Sequence, residues 1–303
     1  MVSNMGKADV AKLKLTASMT IFGTIGVFVR YIPLPSSILA LVRGLIGVLF
    51  LLLFMVVTRN KISGKSIREN LFILILSGAA IGINWILLFE AYHYTTVATA
   101  TLCYYLVPVI VILVSPLILH ERLTVKKLLC VVIALMGMVF VSGVLETGIS
   151  SIMELKGILY GIGAATFYAS VILLNKKLRN ISAYDRTALQ LGVAVVVLLP
   201  YTLLTQSIQI SMLSFRVIVL VLIVGTIHTG LAYALYFGSM KDLKAQTVAI
   251  FGYIDPVVAI LLSAIILQEG LGITGIIGAV MILGATFVSE YDIKSKAVRS
   301  EDS

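Results

Sequence analysis

The sequence predicts an all-α polytopic membrane protein, ten transmembrane helices arranged as two inverted five-helix repeats. Three observations carry that expectation: ten apolar runs long enough to cross a bilayer, a bias of Lys and Arg toward alternate connectors, and a second half that repeats the first. Hydrophobic residues make up 60% of the 303, charged residues only 12%, and mean hydropathy is +1.09. A soluble domain is nearer half apolar and a quarter charged, so it could not cover this much apolar surface with polar groups.

A spanning helix needs about 20 mostly apolar residues. Runs of that kind lie near 13–31, 36–57, 70–91, 95–119, 126–144, 156–175, 186–206, 215–239, 244–267 and 271–290. The first follows Lys7, Lys12 and Lys14 in the outline of a secretory leader. No small-residue cleavage site follows it and nine more spans do, which predicts a retained helix. The second run carries Arg43; the third carries Asn84 and Trp85 past its middle and closes with Glu90 and His93. The fourth and fifth hold Cys103 and Cys130, which lack metal-ligand spacing and read as reduced packing residues. The sixth opens with a G-x-x-x-G pair, Gly157 and Gly161, a close-packing signal. The seventh places the neutral Gln190 where the second has Arg43, the eighth carries His228 and Tyr233, and the ninth sets Asp255 directly before Pro256. Gly272, Gly275 and Gly278 at the start of the tenth read as packing positions, and a polar tail spans 291–303. The connectors are short, with no room for an extramembrane domain that could hold an active site.

With the N-terminus inside, 19 of the 23 Lys and Arg fall in inner segments, while Arg30, Lys156 and Arg216 fall outside. That asymmetry orients a multi-pass cell-membrane protein with both termini cytoplasmic. It also accounts for the net charge of +9, and no clustered basic face with stacking aromatics argues for nucleic acid.

Shifting residues 89–123 by 148 positions superposes Phe89 on Phe237, Tyr105 on Tyr253, Pro108-Val109 on Pro256-Val257, Ser115 on Ser263 and Glu121 on Glu269. Five helices per half is an odd number, so the halves, 1–145 and 153–290, enter from opposite sides. Inverted repeats let two pseudo-equivalent halves exchange inward-open and outward-open states around a midplane site. The stretches ATATLCYYLVPVIVILVSPLILHERLT (Ala98–Thr124) and VAIFGYIDPVVAILLSAIILQEGLG (Val248–Gly272) resemble the repeated signature of EamA-type transporters of the drug/metabolite transporter superfamily. In that signature a mid-helix Pro precedes an apolar run, a Glu at the helix end and a Leu; each copy is followed by a Gly-containing last helix, with Gly137 and Gly284. The second copy departs with Gly272 where Thr124 sits. The resemblance covers essentially the whole chain. It implies a secondary carrier with helices 1–4 and 6–9 around a central cavity, and helices 5 and 10 peripheral, at a contact between protomers of a homodimer.

Intramembrane polar residues are costly unless they face a cavity or a partner. Asp255 is the sharpest candidate: about eleven residues into its run, roughly 16 Å of rise, it lies near the midplane. Pro256 cannot donate a backbone hydrogen bond and frees a carbonyl one turn earlier, so a cation or proton site and a packed buried acid are the two readings. The resemblance adds that second-half copies often carry an acid before this Pro. Pro108 and Pro256 are the expected helix kinks. His228, mid-helix, could carry protons near neutral pH or pack with one bond. Arg43 could bind a substrate carboxylate, pair with Glu90, or snorkel. Glu90 and His93 mark an outer mouth, as a gate or as a solvated helix end. Trp85, Tyr105, Tyr168 and Tyr233 are deep enough to wall a cavity for organic substrates, cations included, although Tyr and Trp also mark interfaces and pack helices. Glu121 and Glu269 close helices at a membrane face and read as structural.

No enzymatic constellation, cofactor motif or metal-ligand cluster is legible, and no phosphate-cradling loop points to ATP-driven pumping. The expected partners are the lipid bilayer and a small organic substrate, with protons as the coupling ion. The leading expectation is export of small organic metabolites such as amino acids or related amines. Import of a solute or cation held in an aromatic cavity, and a non-transporting scaffold, are the alternatives.

Overall fold

The computed structural model describes residues 6–60, 62–95, 100, 103–142, 152–206, 213–266 and 273–290. The sequence-level expectations for Glu269 and for the tail 291–303 lie outside the described residues. Within them the regular structure is helical, with no strand. Lipid offers no hydrogen bonds, so the backbone must satisfy its own.

The described residues form ten helical spans: α1 Lys7–Val29, α2 Ser36–Val57, α3 Gly64–Tyr94, α4 Val107–Leu119, α5 Val125–Ser142, α6 Ile152–Asn175, α7 Ala183–Thr205, α8 Phe215–Ser239, α9 in two pieces, Ala245–Phe251 and Ile254–Ile266, and α10 Ile273–Glu290. By length and composition, α1, α2, α3, α6, α7 and α8 suffice to cross a membrane, while α4, α9 and α10 are shorter apolar helices. Large apolar side chains stand exposed along most of the helices, among them Phe72, Leu117 and Ile273 at 77%, 78% and 79%, an extent of exposed apolar surface that suits lipid rather than water. The chain is a multi-pass membrane protein.

The fourth and ninth runs depart from expectation: each is interrupted rather than kinked. In α9 the chain leaves the helix at Gly252 and Tyr253, whose N–H groups turn back to the Ala249 and Ile250 carbonyls at 3.1 Å. Before α4 the Leu106 N–H bonds the Cys103 carbonyl at 3.1 Å in the same tightened manner. Pro108 and Pro256 therefore stand in the first turn of a new helical segment, where a missing N–H costs nothing. The sequence places the breaker correctly, but the break falls one turn earlier than the proline.

α3 packs along α6 and α7, α2 along α7 and α8, α1 along α8 and α9, and α4 along α6 and the first piece of α9. α5 and α10 pack mainly on each other and rest against α9, where Cys130, Ala134 and Met138 of α5 and Ala279, Ile282 and Ala285 of α10 share one cluster with Tyr253 and Val257. Glycines permit the closest crossings. A Cβ at Gly82 would meet the Ala194 carbonyl and Val197 at 2.9 Å, one at Gly230 would meet Phe50 at 2.6 Å, and one at Gly137 would meet the Gly278 carbonyl at 2.7 Å. The middle of α8, Val224–Leu231, is π-helical, and the Thr229 hydroxyl donates to the Val224 carbonyl five residues back at 3.1 Å. This bulge lies where Gly225 and Gly230 let α2 approach, and it re-aims the side chains that follow.

Candidate substrate cavity

A cavity of about 320 Å³ opens between α1, α2, α3, α4, α6, α8 and α9. Each wall follows from local sequence. Trp85, Leu88, Phe89 and Tyr92 lie at i, i+3, i+4 and i+7 on α3 and form a single stripe. Tyr233 and Tyr236 share one face of α8, just past the π-helical stretch. Tyr104 and Tyr105 are delivered by the interrupted backbone before α4, and Asp255 sits in the first turn of the second piece of α9. A carboxylate is favoured at a helix N-terminus. Gly23 on α1 sets the depth of this wall, since a Cβ there would meet the Asp255 carbonyl oxygen at 2.6 Å.

The lining is aromatic with two charges. The Arg43 guanidinium lies 5.1 Å from the Trp85 ring centroid. Tyr104, Tyr105 and Tyr233 are within electrostatic range of Asp255, and Tyr104 and Tyr233 also of Arg43. Among the described residues neither Arg43 nor Asp255 makes an ion pair or a side-chain hydrogen bond, with each other or with any neighbour. The rings form a continuous belt: Phe22 meets Tyr233 at 5.0 Å, Tyr104 meets Tyr168 at 5.6 Å, and Tyr168 stacks on Tyr236 at 6.3 Å. The floor, Ile172, Tyr236 and Val248, is no more than 2% exposed, whereas Ile25, Leu88, Phe89 and Tyr92 at the other end are partly exposed. Access therefore runs toward the face opposite the Lys/Arg-rich connectors.

Polar links close the Lys/Arg-rich end. The Glu121 carboxylate accepts from the Ala245 and Gln246 N–H groups at 2.8 and 3.3 Å, and Lys127 donates to Gln246 at 3.0 Å. Gln246 in turn donates to Ser115 at 2.8 Å. Lys176 donates to the Met240 and Leu243 carbonyls and Arg186 to that of Phe237. Burial pulls the Lys176 pKa below the usual lysine value, with the Glu121 charge opposing it.

Of the residues singled out from the sequence, Asp255, Arg43, Trp85, Tyr105, Tyr168, Tyr233 and Pro108 line the cavity. His228 does not. Its Nε2 lies 2.8 Å from the Thr24 hydroxyl and its ring packs edge-on to Phe28 at 4.8 Å. Glu90 accepts from the Tyr201 hydroxyl at 2.7 Å and ties α3 to α7 rather than meeting Arg43, while His93 is exposed in the last turn of α3. Pro256 is buried beside Asp255, and α7 contributes no lining residue. Phe22, Tyr92, Tyr104 and Tyr236 were not among the residues singled out as cavity-lining. The i, i+3 spacing of Tyr233 and Tyr236, and of Phe89 and Tyr92, was the available signal.

Residues 12–143 and 155–291 each match the sequence profile of the EamA-like transporter family. The chain belongs to that family. It is 33% identical over 257 residues to the uncharacterized transporter YxxF of Bacillus subtilis (strain 168), covering 84% of this chain and 81% of that one. An uncharacterized transporter of Archaeoglobus fulgidus is 28% identical over 91% of this chain and 94% of its own length. Protein PecM of Dickeya dadantii (strain 3937) is 26% identical over 71% of each. A solved crystal structure superposes with TM-score 0.82 at 18% identity, covering 97% of this chain and 99% of that one, a likeness of fold. The EamA-like chain is thus a membrane transporter, and its cavity is the place to look for what it carries.

Proposed function

We propose that this EamA-like transporter is a secondary carrier that exports small organic metabolites, amino acids or related amines, by alternating access coupled to protons. The observation that carries this reading is the cavity's pair of ionisable groups: Arg43, stacked on the Trp85 ring, and Asp255 line one aromatic space and make no ion pair or hydrogen bond with each other or with another described residue. A charge inside the bilayer without a counter-ion is costly, so a ligand that presents the complementary charge to each has an advantage. The tyrosine belt suits an ammonium and an organic side chain, and 320 Å³ is at the lower end for small-molecule sites. His228, outside the lining, is assigned to holding α8 against α1 through Thr24.

Alternating access rests on an inverted-repeat reading, and the packing supports it. Moving each helix to its counterpart five places on sends the α3–α6 contact to α1–α8, α4–α6 to α1–α9, and α3–α7 to α2–α8, and all of these pairs occur. Tyr105 and Tyr253, equivalent under the 148-residue shift, touch each other: the Tyr253 hydroxyl donates to the Tyr105 carbonyl at 3.2 Å. A cavity closed at the Lys/Arg-rich end is one state of such a cycle.

The test is flux into proteoliposomes, with amino acids and amines screened with and without a pH gradient. Asp255→Asn keeps shape and removes the titrating charge. It should abolish the gradient-driven component, at least about tenfold, the scale of one lost charged interaction, while insertion and folding persist. Wild-type flux with unchanged pH dependence in that variant would discard the coupling role.

A further inference from the structure

A second hollow, about 300 Å³, lies between α3, α6 and the end of α4, on the side of α6 away from the central cavity. Tyr168 and Ile172 face the central cavity, whereas Phe167, Ser170 and Leu174 face this one, so the two hollows stand back to back across a single helix. Leu76, Ala79, Ile83 and Ile118 complete its apolar wall. The Ser170 hydroxyl is already used, donating to the Phe167 carbonyl at 2.6 Å, which leaves Lys177 as the polar feature at one end. A polar hollow of about 680 Å³ adjoins it, sharing Ile118 and Lys177 and adding Lys176, Arg179, His120 and Glu69. Lys176 is turned inward onto backbone carbonyls, but the Lys177 and Arg179 side chains are exposed and make no ion pair among the described residues.

We propose that these adjoining hollows form one binding site for a phospholipid with an anionic headgroup, an acyl chain lying between α3 and α6 and its phosphate held by Lys177 and Arg179. Length and charge argue for this occupant. From Phe167 to Asn175 the helix rises about 12 Å and Lys177 follows in the next turn, so the apolar part covers most of one leaflet of a hydrocarbon core of about 30 Å and the cations arrive at headgroup level. The polar part sets three cations against one acid, Glu69. It opens on the face that carries the Lys/Arg excess, where basic pockets between helices meet anionic headgroups. A soluble anion would use the cations and leave the leaflet-deep groove unexplained.

Native mass spectrometry of the purified, delipidated full chain tests this, with phosphatidylglycerol, phosphatidylcholine of the same chains, and glycerol phosphate as the chainless control. Two cations near the headgroup predict roughly thirtyfold preference for phosphatidylglycerol over phosphatidylcholine. The double variant Lys177→Gln/Arg179→Gln should abolish the preference, and Ala79→Phe, which fills the groove, should weaken retention of both lipids. Lys14→Gln/Lys241→Gln removes two exposed cations elsewhere on the same face and should leave the preference intact. Equal retention of the two lipids by the wild type would overturn the proposal. So would an unchanged preference in the Lys177/Arg179 variant, or displacement of phosphatidylglycerol by equimolar glycerol phosphate. None of these readouts depends on transport.

Discussion

At the scale of single residues, the cost of burying a charge decides the reading of the cavity. A guanidinium over a tryptophan face gains about 0.5–2 kcal/mol, while removing such a cation from water costs several kcal/mol. The stacking on Trp85 orients Arg43 but supplies no counter-ion, and the partly exposed guanidinium remains reachable by an anionic partner from the cavity. Trp85 is the chain's one tryptophan and lines the cavity, so its emission is a direct reporter of binding. A carboxylate-bearing substrate should quench or shift that emission in detergent. Arg43→Gln should raise the apparent Kd by about tenfold or more, since hydrogen bonds to a charged group contribute about 1.5–3 kcal/mol. Unaltered titration in Arg43→Gln would show that the substrate's carboxylate does not use this residue. Asp255, Arg43 and the deep aromatics were legible from sequence because an intramembrane charge is rare enough to stand out. His228 was conspicuous for the same reason, but the π-helical stretch of α8 turns it to Thr24 and Phe28 instead. No periodicity in the sequence announces a one-residue change of helical register.

At the scale of elements, the two pieces of α9 and the start of α4 matter most. The run in 244–267 reads as one helix because hydropathy is blind to a two-residue interruption at Gly252 and Tyr253. The interruption supplies a helix N-terminus within the bundle, and Asp255 sits on it. The other end of α9 is held by Glu121, whose carboxylate accepts the first N–H groups of the Ala245–Phe251 piece. An anion at a helix N-terminus gains about 0.3–1 kcal/mol from the dipole, and charge-assisted hydrogen bonds gain more. Glu121→Gln keeps the shape, loses the charge and loses the bond to one of the two N–H groups, since an amide nitrogen cannot accept. It should lower the thermal unfolding midpoint in detergent by several degrees and reduce folded yield, whereas Arg122→Gln on the exposed neighbour should not. An unchanged midpoint in Glu121→Gln would mean that the contact contributes nothing to stability.

At the scale of the whole molecule, orientation follows from charge. With 19 of 23 Lys and Arg on alternate segments, reporter fusions at Ser303 and within residues 144–151 should read opposite sides of the membrane, the C-terminal one cytoplasmic. Matching readouts would break the alternation on which two inverted halves depend. The same orientation would make the closed, Glu121-bearing end of the bundle cytoplasmic and the partly exposed mouth at Tyr92 external. Under the proposed alternating access, that would be an outward-open state.

By itself the sequence determined the solvent, the number of helical runs, the breaking residues, and the charged and aromatic side chains available to a site. These follow from local composition and from spacing within single helices. Only the tertiary structure decided that α7 stays out of the lining, that Arg43 meets Trp85 and not Glu90, and that His228 faces a packing contact. It also decided that Phe22, Tyr92, Tyr104 and Tyr236 close the aromatic belt. Each of these depends on how far one helix is rotated and translated against another. Close crossings at Gly23, Gly82 and Gly230 set those rotations, and a glycine carries no sign in the sequence of which neighbour will fill the space it leaves.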